Sequence, residues 1–161
     1  MPLSINWRLC PTLTGIPVQI REYQAADAVE ILCGGAKQPS AKLDIALAEA
    51  KKKEGPTATV VDGDRVMACF GLSIVWEGMA EAWMLCVSDI NKHPMVARNA
   101  KRCLKNWIEE YKLVRIQAPL RADFMDGIKL AHWLGFECEG RMRKYQPDGT
   151  DALMHSIIIE G

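Results

Sequence analysis

The chain has 161 residues, 49% apolar and 25% charged, enough for one sizeable core without metals or disulfides. Twenty basic and twenty acidic side chains cancel, so no global field directs it to nucleic acid or to an anionic membrane. No apolar run reaches membrane-spanning length, and the first ten residues hold one Arg and no apolar leader core, so neither a membrane helix nor a secretory signal is expected.

Residues 1–17 carry Pro2, Pro11, Gly15 and Pro17 without sustained periodicity, which predicts an irregular arm ahead of a domain spanning 18–161. Val18, Ile20 and Glu22 alternate as a short strand. Ala28, Ile31 and Leu32 share one face of a helix from Ala25, and Gly34-Gly35 stops it. A second helix is expected from near Pro39-Ser40. Leu43, Ala46, Leu47 and Ala50 would be its buried stripe, with Lys51, Lys52 and Lys53 at its negative dipole end. Thr57 to Val61 is β-branched, and Asp62-Gly63 turns it into a partner strand over Arg65 to Val75. The segment Glu77 to Ala80 turns again into a strand over Glu81 to Ser88. Trp76 and Trp83 flank that turn, either as a cross-strand pair or as an exposed patch for a partner.

His93-Pro94 opens a long helix with Ala97, Ala100, Leu104, Trp107, Ile108 and Tyr111 inward and Lys101, Arg102 and Lys105 on the solvated side. Leu113 to Ala118 reads as a buried strand ended by Pro119. A helix stopping at Gly135, a strand over Glu137 to Tyr145, the turn Pro147 to Thr150 and a strand over Ala152 to Ile159 complete the chain. The order β-α-α-β-β-β-α-β-α-β-β predicts an α/β fold (α+β mixed sheet) with helices on both faces. Cys10, Cys33, Cys69, Cys86, Cys103 and Cys138 contain no C-x-x-C pair, which predicts free thiols in a reducing compartment and no zinc site.

Ile20-Arg21-Glu22-Tyr23-Gln24-Ala25-Ala26-Asp27 and Ala131-His132-Trp133-Leu134-Gly135-Phe136, within this order, resemble the opening and closing segments of the GCN5-related N-acetyltransferase (GNAT) family. The resemblance covers about residues 18–160. It implies that acetyl-CoA lies where the fourth and fifth strands splay, with its pyrophosphate on the amides opening the third helix. The family writes that loop Arg/Gln-x-x-Gly-x-Gly/Ala. Aligned on Leu104, it falls over Met95 to Ala100, with Arg98 at the central glycine and Ala100 at the last small position. Val87 would then bond pantetheine through its backbone, and Arg98, Asn99 and Ala100 would hold the phosphates. The family's acid tyrosine falls at Ala131 and its asparagine at Phe124. The resemblance implies Glu81, at the start of the fourth strand, as the base for an acceptor amine, and Tyr145 as a replacement for the missing phenol if its strand faces the cleft. By residue type His132 is a candidate acid or base.

Two functions follow. One is an acetyl-CoA-dependent N-acetyltransferase acting on a small-molecule or protein amine. The other is a non-catalytic protein of GNAT fold with a degenerate site and no cofactor. In size, in Lys92-His93-Pro94 and in its C-terminal hairpin the chain resembles the family's bacteriophage internal-virion branch. That implies an assembly-associated part of a tailed phage particle, in the host cytoplasm or the virion, touching other subunits through residues 1–17 and the Trp76/Trp83 hairpin. Arg98 and Ala131 favour this second reading.

Overall fold

A seven-stranded sheet organises residues 18–37 and 45–161, the part of the chain that the computed structural model describes. Its strands are β1 (Val18–Arg21), β2 (Thr57–Asp62), β3 (Arg65–Trp76), β4 (Met79–Cys86), β5 (Arg115–Arg121), β6 (Glu137–Met142) and β7 (Ala152–Ile158). They lie in the order β1-β2-β3-β4-β5-β7-β6, and every neighbouring pair is antiparallel except β4 with β5. The helices are α1 (Ala25–Gly34), α2 (Ile45–Glu54), α3 (Pro94–Glu110) and α4 (Met125–Leu134). This is the mixed sheet expected from the element order. The arm over residues 1–17 and the start of the second helix at Pro39-Ser40 lie outside the described residues.

Two cores follow from strand alternation, which sends successive side chains to opposite faces. On one face Tyr23, Ala28, Ile31 and Ala48 of the α1–α2 layer pack on Val61, Val66, Cys69 and Leu85. On the other, Val96, Cys103, Leu104 and Trp107 of α3 pack on Val60, Phe70, Leu72 and Ile116, with the Phe70 and Trp107 rings 5.9 Å apart. Asp27 ties α1 to the sheet. It accepts the Arg21 fork at 2.7 and 2.8 Å and the Thr59 hydroxyl at 2.9 Å, and it closes a capping box with Gln24. Gly135 ends α4 at φ 104°, where a side chain would be strained.

Tertiary context overrides local pattern at several points. In α2 the buried residue is Ala48, while Ala46 and Leu47 face out, so the expected stripe is rotated. The Tyr23 hydroxyl donates to the Ala48 carbonyl at 2.9 Å, and both residues are buried in one cluster. Tyr111 caps α3 and is exposed, not on the buried stripe expected of it. Trp76 pairs with Met79 and Trp83 with Gly71, so the two indoles are not cross-strand partners. Trp83 lies over Gly71, where an added Cβ would sit 2.5 Å from the Pro56 carbonyl and 3.1 Å from the indole. Trp76 is 63% exposed, with Val75, Val114 and Ile158, at the end of the sheet away from the close of β4.

Pro119 does not end β5, which continues to Arg121. Arg115 donates its N–H to Gly78 on the β4 side, and alternation turns the nitrogen of Pro119 the same way. By that point β4 has moved off, so the missing donor costs no ladder bond.

Candidate functional site

The parallel pairing of β4 with β5 covers only Met79–Glu81 against Arg115–Gln117. Beyond it β4 follows β3 as far as Cys86, while β5 follows β7 as far as Arg121. The strands separate, and a cleft of about 580 Å³ opens between them. Its α3-side wall is apolar, with Phe70, Leu104, Trp107 and Leu130 among the lining. It runs through the sheet to the α1–α2 side, where Gly71, Glu81 and Trp83 line it. Pro119 lines the β5 lip and has no N–H with which to re-close the ladder.

Glu81 stands at the vertex of the splay. A transverse row of polar side chains passes through it, since Ser73 pairs with Glu81, Glu81 with Gln117 and Gln117 with Ser156. Gln117 donates its amide to Glu81 at 3.3 Å and accepts from the Arg115 Nε at 3.3 Å, which sets its orientation. Arg115 forks onto Glu139 at 2.7 and 2.8 Å, and Ser156 donates to the same carboxylate at 2.7 Å. Those bonds hold the Glu139 carboxyl down at about 2, the Arg115 hydrogen bond being the larger cause. Glu81 forms no ion pair among the described residues. Trp83, two residues on and on the same face, meets Tyr23 edge-on at 5.6 Å, and its indole N–H is buried without a protein acceptor among the described residues.

The opening of α3 is built differently from the expected loop. Pro94 occupies its first turn and supplies no N–H, and the Val96 N–H is donated to the His93 carbonyl at 3.1 Å. Arg98, Asn99 and Ala100 lie in the second turn. Arg98 is turned to Met95, Asn99 is buried beside Arg102, and of the three only Ala100 lines the cleft. The Val87 N–H is donated to Met67 and its carbonyl accepts from Ile90, so its backbone is committed internally. Asp89 is neutralised by the Arg65 fork at 2.7 and 3.2 Å, which lowers its pKa to about 2. His132 stacks 5.2 Å from buried His155 and does not line the cleft, and Tyr145 is half-exposed beside Gln146, which does. Glu81 is therefore the one candidate catalytic side chain that reaches it.

No family model matches the sequence, and no curated protein matches it. Solved structures do match. Ard1 of Thermoplasma volcanium superposes with a TM-score of 0.77 at 15% identity, over 89% of this chain and 99% of that one. A ribosomal-protein alanine N-acetyltransferase of Escherichia coli gives 0.72 at 16% identity, over 89% and 95%. The fold is that of the GNAT acetyltransferases. YncA of Salmonella typhimurium, solved with its cofactor acetyl-CoA, gives 0.69 at 17% identity, over 89% and 95%. Within the GNAT fold of this chain, Ala131 and Phe124 both line the cleft and bring no hydroxyl or amide to it. No helix among the described residues is long and apolar enough to cross a membrane, and no group of His, Cys, Asp and Glu among them could hold a metal ion.

Proposed function

We propose that the chain binds an acyl-CoA thioester, acetyl-CoA in the first instance, between β4 and β5 and transfers its acyl group to a primary amine arriving from the α1–α2 side. The observation that carries this reading is the open splay with Glu81, a carboxylate free of ion pairs among the described residues, at its vertex. The group fits the lining on two counts. The apolar wall of Phe70, Leu104, Trp107 and Leu130 suits a slender pantetheine arm, and the unpartnered Trp83 N–H offers a donor to a carbonyl oxygen that reaches the splay. The diphosphate has fewer backbone donors than usual, owing to Pro94, and must rely on side chains at the mouth.

When bound, acetyl-CoA supplies an acyl group activated as a thioester. The chain's own residues do the rest. Glu81 draws an ammonium by charge and accepts its proton, exposing the amine lone pair. Gln117, itself oriented by Arg115, holds that carboxylate, and Trp83 lines the acceptor side.

Ala131, Phe124 and Pro94 favour a second reading, a non-catalytic, assembly-associated protein such as a tailed-phage particle component. Calorimetric titration with acetyl-CoA separates the two. Saturable binding together with thiol release in the presence of primary amines supports the transferase. Absence of heat up to millimolar ligand, with an unchanged melting temperature, sinks it and leaves the second reading.

A further inference from the structure

An anion already sits at the mouth of the cleft, and it belongs to the chain. Lys37 Nζ lies 2.8 Å from Asp126 Oδ2, and the Asn91 side chain donates to the same carboxylate. Separate elements meet there. Lys37 follows α1, and its backbone N–H is fixed on the Cys86 carbonyl at 2.8 Å, at the end of β4. Asn91 belongs to the short 3-10 turn Ile90–Lys92 before α3, and Asp126 to the first turn of α4. All three side chains line the cleft. Lys37 and Asn91 stand on the β4 side of the splay, Asp126 on the far side.

An aspartate in the first turn of a helix is stabilised by the dipole without an outside cation. The reach of Lys37 across the splay therefore needs another account. The start of α3 supplies one: Pro94 has no N–H and the Val96 N–H is donated to His93, so this turn offers an anion fewer amides, and a cationic side chain at the mouth adds what they do not. We propose that Lys37 and Asn91 form an anion subsite at the cleft mouth, which a diphosphate-bearing ligand enters by displacing the Asp126 carboxylate.

Energetics favour the exchange. Asp126 is partly exposed, and exposed ion pairs are weak. A diphosphate brings more charge and more acceptor oxygens to the same donors. Asp126 thus acts as an internal competitor that holds the mouth closed until a stronger anion arrives. Only the identity of the ligand as a CoA thioester rests on the reading of the cleft given above. The subsite takes any diphosphate.

The test titrates the full chain with inorganic pyrophosphate, CoA and pantetheine. Asp126→Asn is expected to tighten pyrophosphate and CoA by about threefold to fivefold, the worth of an exposed ion pair, and to leave pantetheine unchanged. Lys37→Gln is expected to weaken both phosphate ligands by about tenfold. Tighter pyrophosphate with no CoA binding would keep the subsite and remove the acyl-CoA reading. Pyrophosphate binding that is unchanged or weaker in Asp126→Asn, or absent from both proteins, overturns the subsite. Should Asp126→Asn lower the melting temperature, Asp126→Ser retains a polar first-turn side chain and the same comparison decides.

Discussion

The two halves of the sheet are held together by different physics. Strands β1 to β4 are covered by α1 and α2 on one face and by α3 on the other, and their contacts are mainly apolar, with the buried Asp27 cluster on Arg21 and Thr59 as a polar tie. Strands β5, β7 and β6 leave much more of themselves to solvent, β6 almost entirely. Here the arginines of β5 and β6 tie the strands and the loop between them: Arg115 to Glu139, Arg121 to Asp123 and Asp148, and Arg141 to Asp151. The cleft lies on the seam. A rigid, doubly covered half supplies one lip, and a polar, singly covered half supplies the other. Stability should therefore be lost mainly by changes in the first half, and binding or pH response mainly by changes at the seam and beyond it.

The largest effect expected is on folding. Trp107→Ala removes the indole that packs on Phe70 and should cost about 4 kcal/mol in urea denaturation. A loss below about 1 kcal/mol, the scale of an ordinary surface change, would break the contrast between the halves. Next comes the seam. Glu81→Gln should slow amine acylation about 100-fold at saturating acetyl-CoA while leaving the melting temperature within error of the parent. Undiminished turnover would remove Glu81 as the base.

A smaller effect concerns acid. In the folded chain Glu139 is held down at about 2 by Arg115 and Ser156, below the ordinary carboxylate value. Its depressed pKa contributes stability that is present in full above about pH 4.3 and is lost as the pH falls toward 2. Glu139→Gln should therefore flatten the stability curve in that window and leave its shape above pH 5 unchanged, about one unit clear of the transition. An identical acid limb in both proteins would mean that the Arg115 fork is not formed in solution. The smallest effect is expected at Trp76, whose replacement by Ser should shift stability by less than about 0.5 kcal/mol. A larger loss would place the indole in packing, whereas lost affinity for another subunit at unchanged stability would support the partner-surface expectation for the β3–β4 turn.

Local chemistry was readable at long range along the chain. Thr57 to Val61 with Asp62-Gly63 announced a hairpin because β-branching and a turn glycine act within a few residues. Gly135 announced the end of α4 because a left-handed cap tolerates little else. The same local rules failed at Pro119 and in α2. A proline ends a strand only when its missing N–H faces a neighbour, and which neighbour it faces is a property of the sheet. In α2 the buried position is Ala48, whose carbonyl accepts from the hydroxyl of Tyr23 in the distant β1–α1 loop, a contact that helical spacing does not reveal.

The site divides in the same way. Glu81 could be named only through the family resemblance, which places a base at the start of the fourth strand. Its lack of a cation partner among the described residues, and the orientation of Gln117 by Arg115, depend on strands brought together across the sheet. Alignment on a helical stripe brought forward Arg98 to Ala100 for the anion, and of these only Ala100 lines the cleft, because residue types reveal a helix face more readily than they reveal what that face lines. The pairing of Lys37 with Asp126 leaves no trace in spacing or composition. Periodicity, caps and turns are settled among neighbours in the chain, so the order of strands and helices was written there. The splay between β4 and β5, and the charges facing each other across its mouth, arise between segments far apart in sequence, and only their packing brings them within bonding distance.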